Sequence, residues 1–214
     1  SPKRKKIEKQ YYQLKYDIQA EQDAADALKE LDQARHSRYI PNQDLTWMAY
    51  DKLENLNNQY KATNSIIFKQ ALTKIRCLGL YHIHKFEELK SLALEGLQKT
   101  QKHGLIKEED KHFFRLHYLK SALFTRDLSL TELVLQQEHA NKDIPLEHLL
   151  AYKNIQFRLY LHQQKFTAAD KLLSEVKQMP ELRHLPSYIQ ELWHINEVFT
   201  ILLSYSKYSS IAKR

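Results

Sequence analysis

Three times in this chain a glutamate is followed three residues later by a histidine: Glu109 with His112, Glu181 with His184, and Glu191 with His194. On a helix that spacing aims a carboxylate and an imidazole the same way. Two such pairs with two further glutamates can build a di-iron site inside a four-helix bundle. Here Glu181 and His184 lie between Pro180 and Pro186, in a connector, and no companion glutamates stand on clearly apolar stripes. A metal centre is not expected, because its ligands must all face one interior. His82 and His84 flank Ile83 just before Phe86. Alternate residues converge only in extended chain, so at a helix end these imidazoles read as favourable charge placement near the C-terminal dipole.

Other chemistry is equally hard to place. Three glycines spread over 214 residues cannot form a phosphate cradle, and no HExxH, CxxC or GxSxG occurs. No nucleophile stands beside an identifiable base. Neither catalytic residues, nor a metal, nor a cofactor is expected, and the chain does not read as an enzyme. The formal charge of +7 suggests nucleic acid until it is located. Lys3, Arg4, Lys5, Lys6, Lys207, Lys213 and Arg214 carry the excess, and the other 26 cations match the 26 acidic residues between Ile7 and Ser206. A broad phosphate-binding face needs clustered cations, so nucleic acid is not expected as a partner for the body of the chain. The KRKK run is either a solvated terminus or a targeting or nucleic-acid patch.

The one cysteine, Cys77, rules out an intrachain disulfide and reads as a small buried hydrophobe in IRCLGL. A reducing, cytoplasmic setting fits this, although periplasmic domains can also lack disulfides. No window approaches the roughly 18 apolar residues of a membrane span, so no membrane insertion is expected. The chain starts with Ser and shows no signal peptide, which reads as a fragment or a processed chain.

The elements behind these residues are helices. Few glycines and prolines, with abundant Leu, Lys, Gln, Glu and Ala, predict an all-α chain of about nine helices. A polar, basic-tailed segment over residues 1–40 is followed by a helical-repeat domain over 41–206 and a tail over 207–214. The first segment is one helix or a bent pair, and its alanine-rich part covers a neighbour without supplying a core. Pro41 and Asp44 introduce the next helix, Thr63 or Asn64 caps another, and Phe86 opens a partner that Gly104 terminates. Ser129 with Glu132, Asp143 with Pro145, and Thr167 with Asp170 mark later helix starts. Phe86 and Phe166 stand 80 residues apart with Leu128 or Leu130 between them, giving a period near 40. That period predicts a right-handed αα superhelix, a solenoid of stacked antiparallel hairpins.

In the stretch HQQKFTAADKLLSEVKQMP, Phe166, Ala169, Leu173, Val176 and Pro180 follow the order aromatic, small, apolar, apolar, proline. It resembles the second helix of a tetratricopeptide repeat, and the resemblance covers roughly Asn64 to Pro180. It departs from that family: the first-helix Leu-Gly pair is absent, Val176 replaces an alanine, and Leu89 stands where Phe86 would want one. The period of about 40 also exceeds the family's 34 residues. The resemblance implies a concave surface lined by first helices that takes a partner's peptide or helix.

Two first helices carry more aromatics than one core stripe needs. At about 100° per residue, Phe157 points about 140° from Tyr152. Phe114, Tyr118, Phe157 and Tyr160 are therefore candidates for a peptide groove, with Arg115, Lys120, Lys153 and Arg158 as charged neighbours; the alternative is a thicker core between layers. The expected function is a non-enzymatic protein-interaction module. A second reading is the sensor or dimerisation part of a bacterial transcriptional regulator. The last helix, apolar on most of its circumference, needs at least two neighbours or else offers a partner site, including a homodimer contact.

Overall fold

A computed structural model describes residues 2–36, 41–102, 107–139 and 144–211. Its regular elements are helices: α1 (Pro2–Arg35), α2 (Asn42–Gln59), α3 (Ile66–His82), α4 (Phe86–Lys102), α5 (Glu108–Phe124), α6 (Leu128–His139), α7 (Leu146–His162), α8 (Phe166–Lys177) and α9 (Ser187–Ile211). A 3-10 turn, Pro180–His184, precedes α9. No strand occurs among the described residues, and the all-α class holds. The expectations for Gly104 and Asp143 lie outside the described residues.

The chain divides into two compact units, Ser1–Ser121 and Ala122–Arg214. The first unit includes α1, a single long helix. Ala20, Ala24, Ala27 and Leu31 recur on one face, and the small side chains of the three alanines let α1 approach α2 and α3 closely. They join Ala49, Leu56, Tyr60, Phe68, Ala71 and Ile75 in one core. Alanines bury little apolar area, so polar contacts along the seam add to the fit. Tyr16 Oη donates to the Gln59 carbonyl at 2.9 Å, Thr63 Oγ1 donates to Asp17 at 2.6 Å, and Tyr60 Oη donates to Asp23. Burial, and then the Asp23 carboxylate, push the Tyr60 phenol up to about 12. A neighbouring core holds Cys77, Leu80, Leu89 and Phe114. Burial raises the Cys77 thiol to about 12, which leaves it a small inert hydrophobe.

In the second unit each helix from α6 onwards packs on the next. Its core joins Leu150 and Phe157 of α7, Ala169, Leu172, Leu173 and Val176 of α8, and Ile189 and Trp193 of α9. Four of α8's twelve residues carry that contact, at the i, i+3, i+4 and i+7 spacing of an amphipathic helix. Phe166 opens α8, and Pro180 opens the 3-10 turn beyond its end.

The repetition near 40 residues has a local structural counterpart. His84, Arg126 and Gln164 hold φ of 59°, 60° and 58°, each directly between two consecutive helices. At each, the left-handed residue's N–H donates to the carbonyl three back, and the next N–H donates to the carbonyl five back. Lys85 N reaches Leu80 O at 3.0 Å, Asp127 N reaches Ala122 O at 2.8 Å, and Lys165 N reaches Tyr160 O at 2.8 Å. This is the Schellman closure, which satisfies the last carbonyls of the first helix. No glycine occupies the left-handed position, at a cost of about 1–2 kcal/mol each.

Several caps differ from the sequence reading because the choice among adjacent polar residues is geometric. Ser65, not Thr63 or Asn64, caps α3, accepting from Phe68 N at 3.1 Å. Asp127, not Ser129, stands before α6 and accepts from Leu130 N at 3.4 Å. Pro145 itself is the N-cap of α7, and α8 begins at Phe166 behind Lys165 without a side-chain cap.

Candidate functional site

The eight groove candidates do not form an aromatic surface. Phe114 and Phe157 are both 0 % exposed. Phe114 packs with Cys77, Leu80 and Leu89, and Phe157 meets Trp193 edge-on at 6.4 Å between ring centres. Sequence reasoning left Phe157 open between a groove and a thicker core. In fact α7 is covered on more than one side, so Tyr152 and Phe157 are both interior. For these two aromatics the thicker-core alternative is the one realised.

The remaining candidates are half-buried. In the first unit, Arg115 and Tyr118 lie along α5, and Lys120 places Nζ 5.2 Å from the ring centre of Tyr81. In the second, Lys153 faces Glu175 at 3.9 Å, and the Tyr160 hydroxyl accepts from Gln156 Nε2 at 2.9 Å. Two of the eight, the buried Phe157 and the half-buried Arg158, line an open cavity in the second unit.

That cavity, of about 320 Å3, is walled by Phe124, Arg158, Leu161, His162, Phe199 and Leu203 among others. Beside it, α9 turns a continuous apolar stripe to solvent. Ile195, Val198, Phe199 and Leu202 are 50, 54, 50 and 60 % exposed and recur at i, i+3, i+4 and i+7. They line a second shallow cavity of about 300 Å3 with His194. Phe199 belongs to both cavities. The opposite side of α9 holds the helix in place: Ile189 and Trp193 enter the core, and Asn196 Nδ2 donates to the buried Asn154 Oδ1 at 2.9 Å. Among the described lining residues of the two cavities there is one permanent cation, Arg158, and no carboxylate. The lining is predominantly apolar, with His162, His194, Arg158 and Asn196 as its polar members.

The Glu-x-x-His pairs are scattered. His112 is buried in α5, Glu181 and His184 are exposed on the 3-10 turn, and His194 is exposed beside Glu197 at 3.8 Å. Among the described residues no three His, Cys, Asp or Glu side chains are placed to hold a metal ion. No helix of the described residues is long and apolar enough to cross a membrane.

His117, which sequence reasoning passed over, lies deep in the first unit. Its Nδ1 stands 2.8 Å from the Phe113 carbonyl, and its ring stacks on Phe113 at 4.1 Å. Burial, with the Lys120 ammonium next, holds it well below the usual histidine range. His82 is lowered by burial and then by Arg35. No sequence signal separates such a histidine from a solvated one.

No known family model matches the chain, and neither a curated protein nor a solved structure is detectably similar to it.

Proposed function

We propose that this chain is a non-enzymatic protein-interaction module of stacked helical hairpins, and that α9 receives an amphipathic helix of a partner protein. The observation that carries the reading is the exposed Ile195–Val198–Phe199–Leu202 stripe beside an open cavity. Four apolar anchors at that spacing match the way one amphipathic helix seats against another. Phe199, shared by both cavities, is the expected centre of the contact, where an aromatic contributes most. Arg158 at the rim, with no carboxylate among the described lining residues, favours a partner helix with an acidic flank.

Three features support a tetratricopeptide-like solenoid: the recurring left-handed turn, helix-on-next-helix packing in the second unit, and the buried Ala169, Leu173 and Val176. The peptide surface moves from the first helices, whose Phe114 and Phe157 are interior, to the last helix.

Fluorescence anisotropy with labelled amphipathic peptides, one series flanked by Glu and one by Lys, tests the function. Binding of the Glu-flanked series that is lost in Phe199→Asp supports it. Indifference to that substitution would sink it. A dimer of the free chain that Phe199→Asp dissolves would show instead that a second copy covers the stripe, the contact a regulator's dimerisation part would make.

A further inference from the structure

The opposite end of the chain carries a second unpartnered surface. Every side chain from residue 3 to residue 12 is exposed. Ile7, Tyr11, Leu14 and Ile18 are 65, 62, 60 and 56 % exposed. At 3.6 residues per turn their 4-3-4 spacing confines them to an arc of about 60°. The packed stripe of Ala20, Ala24, Ala27 and Leu31 lies roughly 140° further round the same helix. A flat surface can therefore meet the exposed stripe without meeting α2 or α3. Cations surround it: Lys5, Lys6 and Lys9 stand opposite, Arg4 and Lys15 along one edge, and Lys3 along the other. Over residues 3–18 these six face two carboxylates, Glu8 and Asp17. Glu8 pairs with Arg4 at 3.0 Å, and Asp17 accepts from Thr63 Oγ1.

We propose that this end of α1 docks on an anionic lipid surface, its four apolar side chains set into the headgroup–acyl boundary and its lysines held by acidic headgroups. Stable peripheral anchoring takes two signals, an apolar face and a polybasic one, and both occupy the same turns. Other occupants answer only part of the pattern. A nucleic acid meets the charge and leaves the apolar stripe wet. A second copy brings two sets of six cations together. An acidic partner helix pairs with the cations at the stripe's edges and leaves Lys5, Lys6 and Lys9 facing away. A charged bilayer extends past the helix on both sides and draws on all six cations, its pull on the three far ones attenuated but not abolished across a helix about 10 Å thick at a screening length of about 8 Å.

Sedimentation of the whole chain with phosphatidylcholine vesicles, with and without phosphatidylserine, tests this. The chain should pellet only with phosphatidylserine and be released by salt. The pair Ile7→Ser, Leu14→Ser and the triple Lys5→Gln, Lys6→Gln, Lys9→Gln should each weaken binding at least about ten-fold. All five side chains are exposed, so helical circular dichroism should not change. Phe199→Asp should bind vesicles like the wild type, which separates this surface from α9. The proposal is overturned if phosphatidylserine vesicles leave the chain in solution, or if the Ile7, Leu14 pair binds undiminished. It is equally overturned if the lysine triple weakens duplex DNA binding while vesicle binding is unaffected.

Discussion

Gly96 of α4 sits against the ring of Phe114 so closely that a Cβ at that position would stand 2.5 Å from its Cδ1 and Cε1. The ring is fully buried among Cys77, Leu80 and Leu89 and has little room to retreat. Alanine normally gains up to about 1 kcal/mol over glycine in a helix, whereas overpacking costs typically 1–3 kcal/mol. Gly96→Ala should therefore lower the urea midpoint, and adding Phe114→Leu should recover part of the loss. An unchanged or raised midpoint would mean that α4 and α5 do not approach this closely.

The three left-handed turns invite the reverse experiment. Gln164 is exposed and pays the steric cost of φ 58°. Gln164→Gly should stabilise the chain by about 0.5–1 kcal/mol in thermal or urea unfolding. Gln164→Val, branched at Cβ, should destabilise it. Equal stability of all three would remove the left-handed conformation from consideration.

Acid should weaken the first unit. His117, His82 and His36 are all lowered, mainly by burial, with Arg35 from α1 and Lys120 from α5 acting in the same direction. The unfolded chain keeps the ordinary value of about 6.5, so below that pH it binds more protons than the folded chain. Stability present above pH 6.5 is lost as pH falls through the folded values, by up to about 1.4 kcal/mol per pH unit for each such proton. Urea midpoints between pH 8 and pH 5 should decline, and His117→Phe should make the decline shallower. A slope unaltered by that substitution would show that His117 does not contribute.

Asn154 and Asn196 bond to each other with both side chains buried. Asn196→Leu takes away the donor that Asn154 Oδ1 uses and should cost about 1–3 kcal/mol. The double variant Asn154→Leu, Asn196→Leu should regain much of that, because no polar group is then stranded. Additive losses in a double-mutant cycle would contradict the coupling.

The helix starts at Phe86 and Phe166 were legible because an aromatic followed a polar turn and opened an amphipathic run. The turns were not, since sequence reading looks for glycine at a left-handed position and finds His84, Arg126 and Gln164 instead. A hydrogen-bond closure selected those residues, and it exists only once both helices are in place. The candidate site was half legible. The apolar excess of α9 marked it as a surface needing cover, and Arg158 was among the residues chosen. Groove or core was undecided for Phe114 and Phe157 because helical periodicity reports an angle, while burial depends on how many neighbours occupy that angle.

What the residues determined unaided was the helical class, where Phe86 and Phe166 open helices, and the neutral body between basic ends, because each follows from local propensity and charge counting. Which aromatics face inward, which polar side chain caps each helix, and which side of α9 stays open were decided only when the helices packed. Burial is a property of neighbours, and a periodic pattern names the stripe without naming what lies against it.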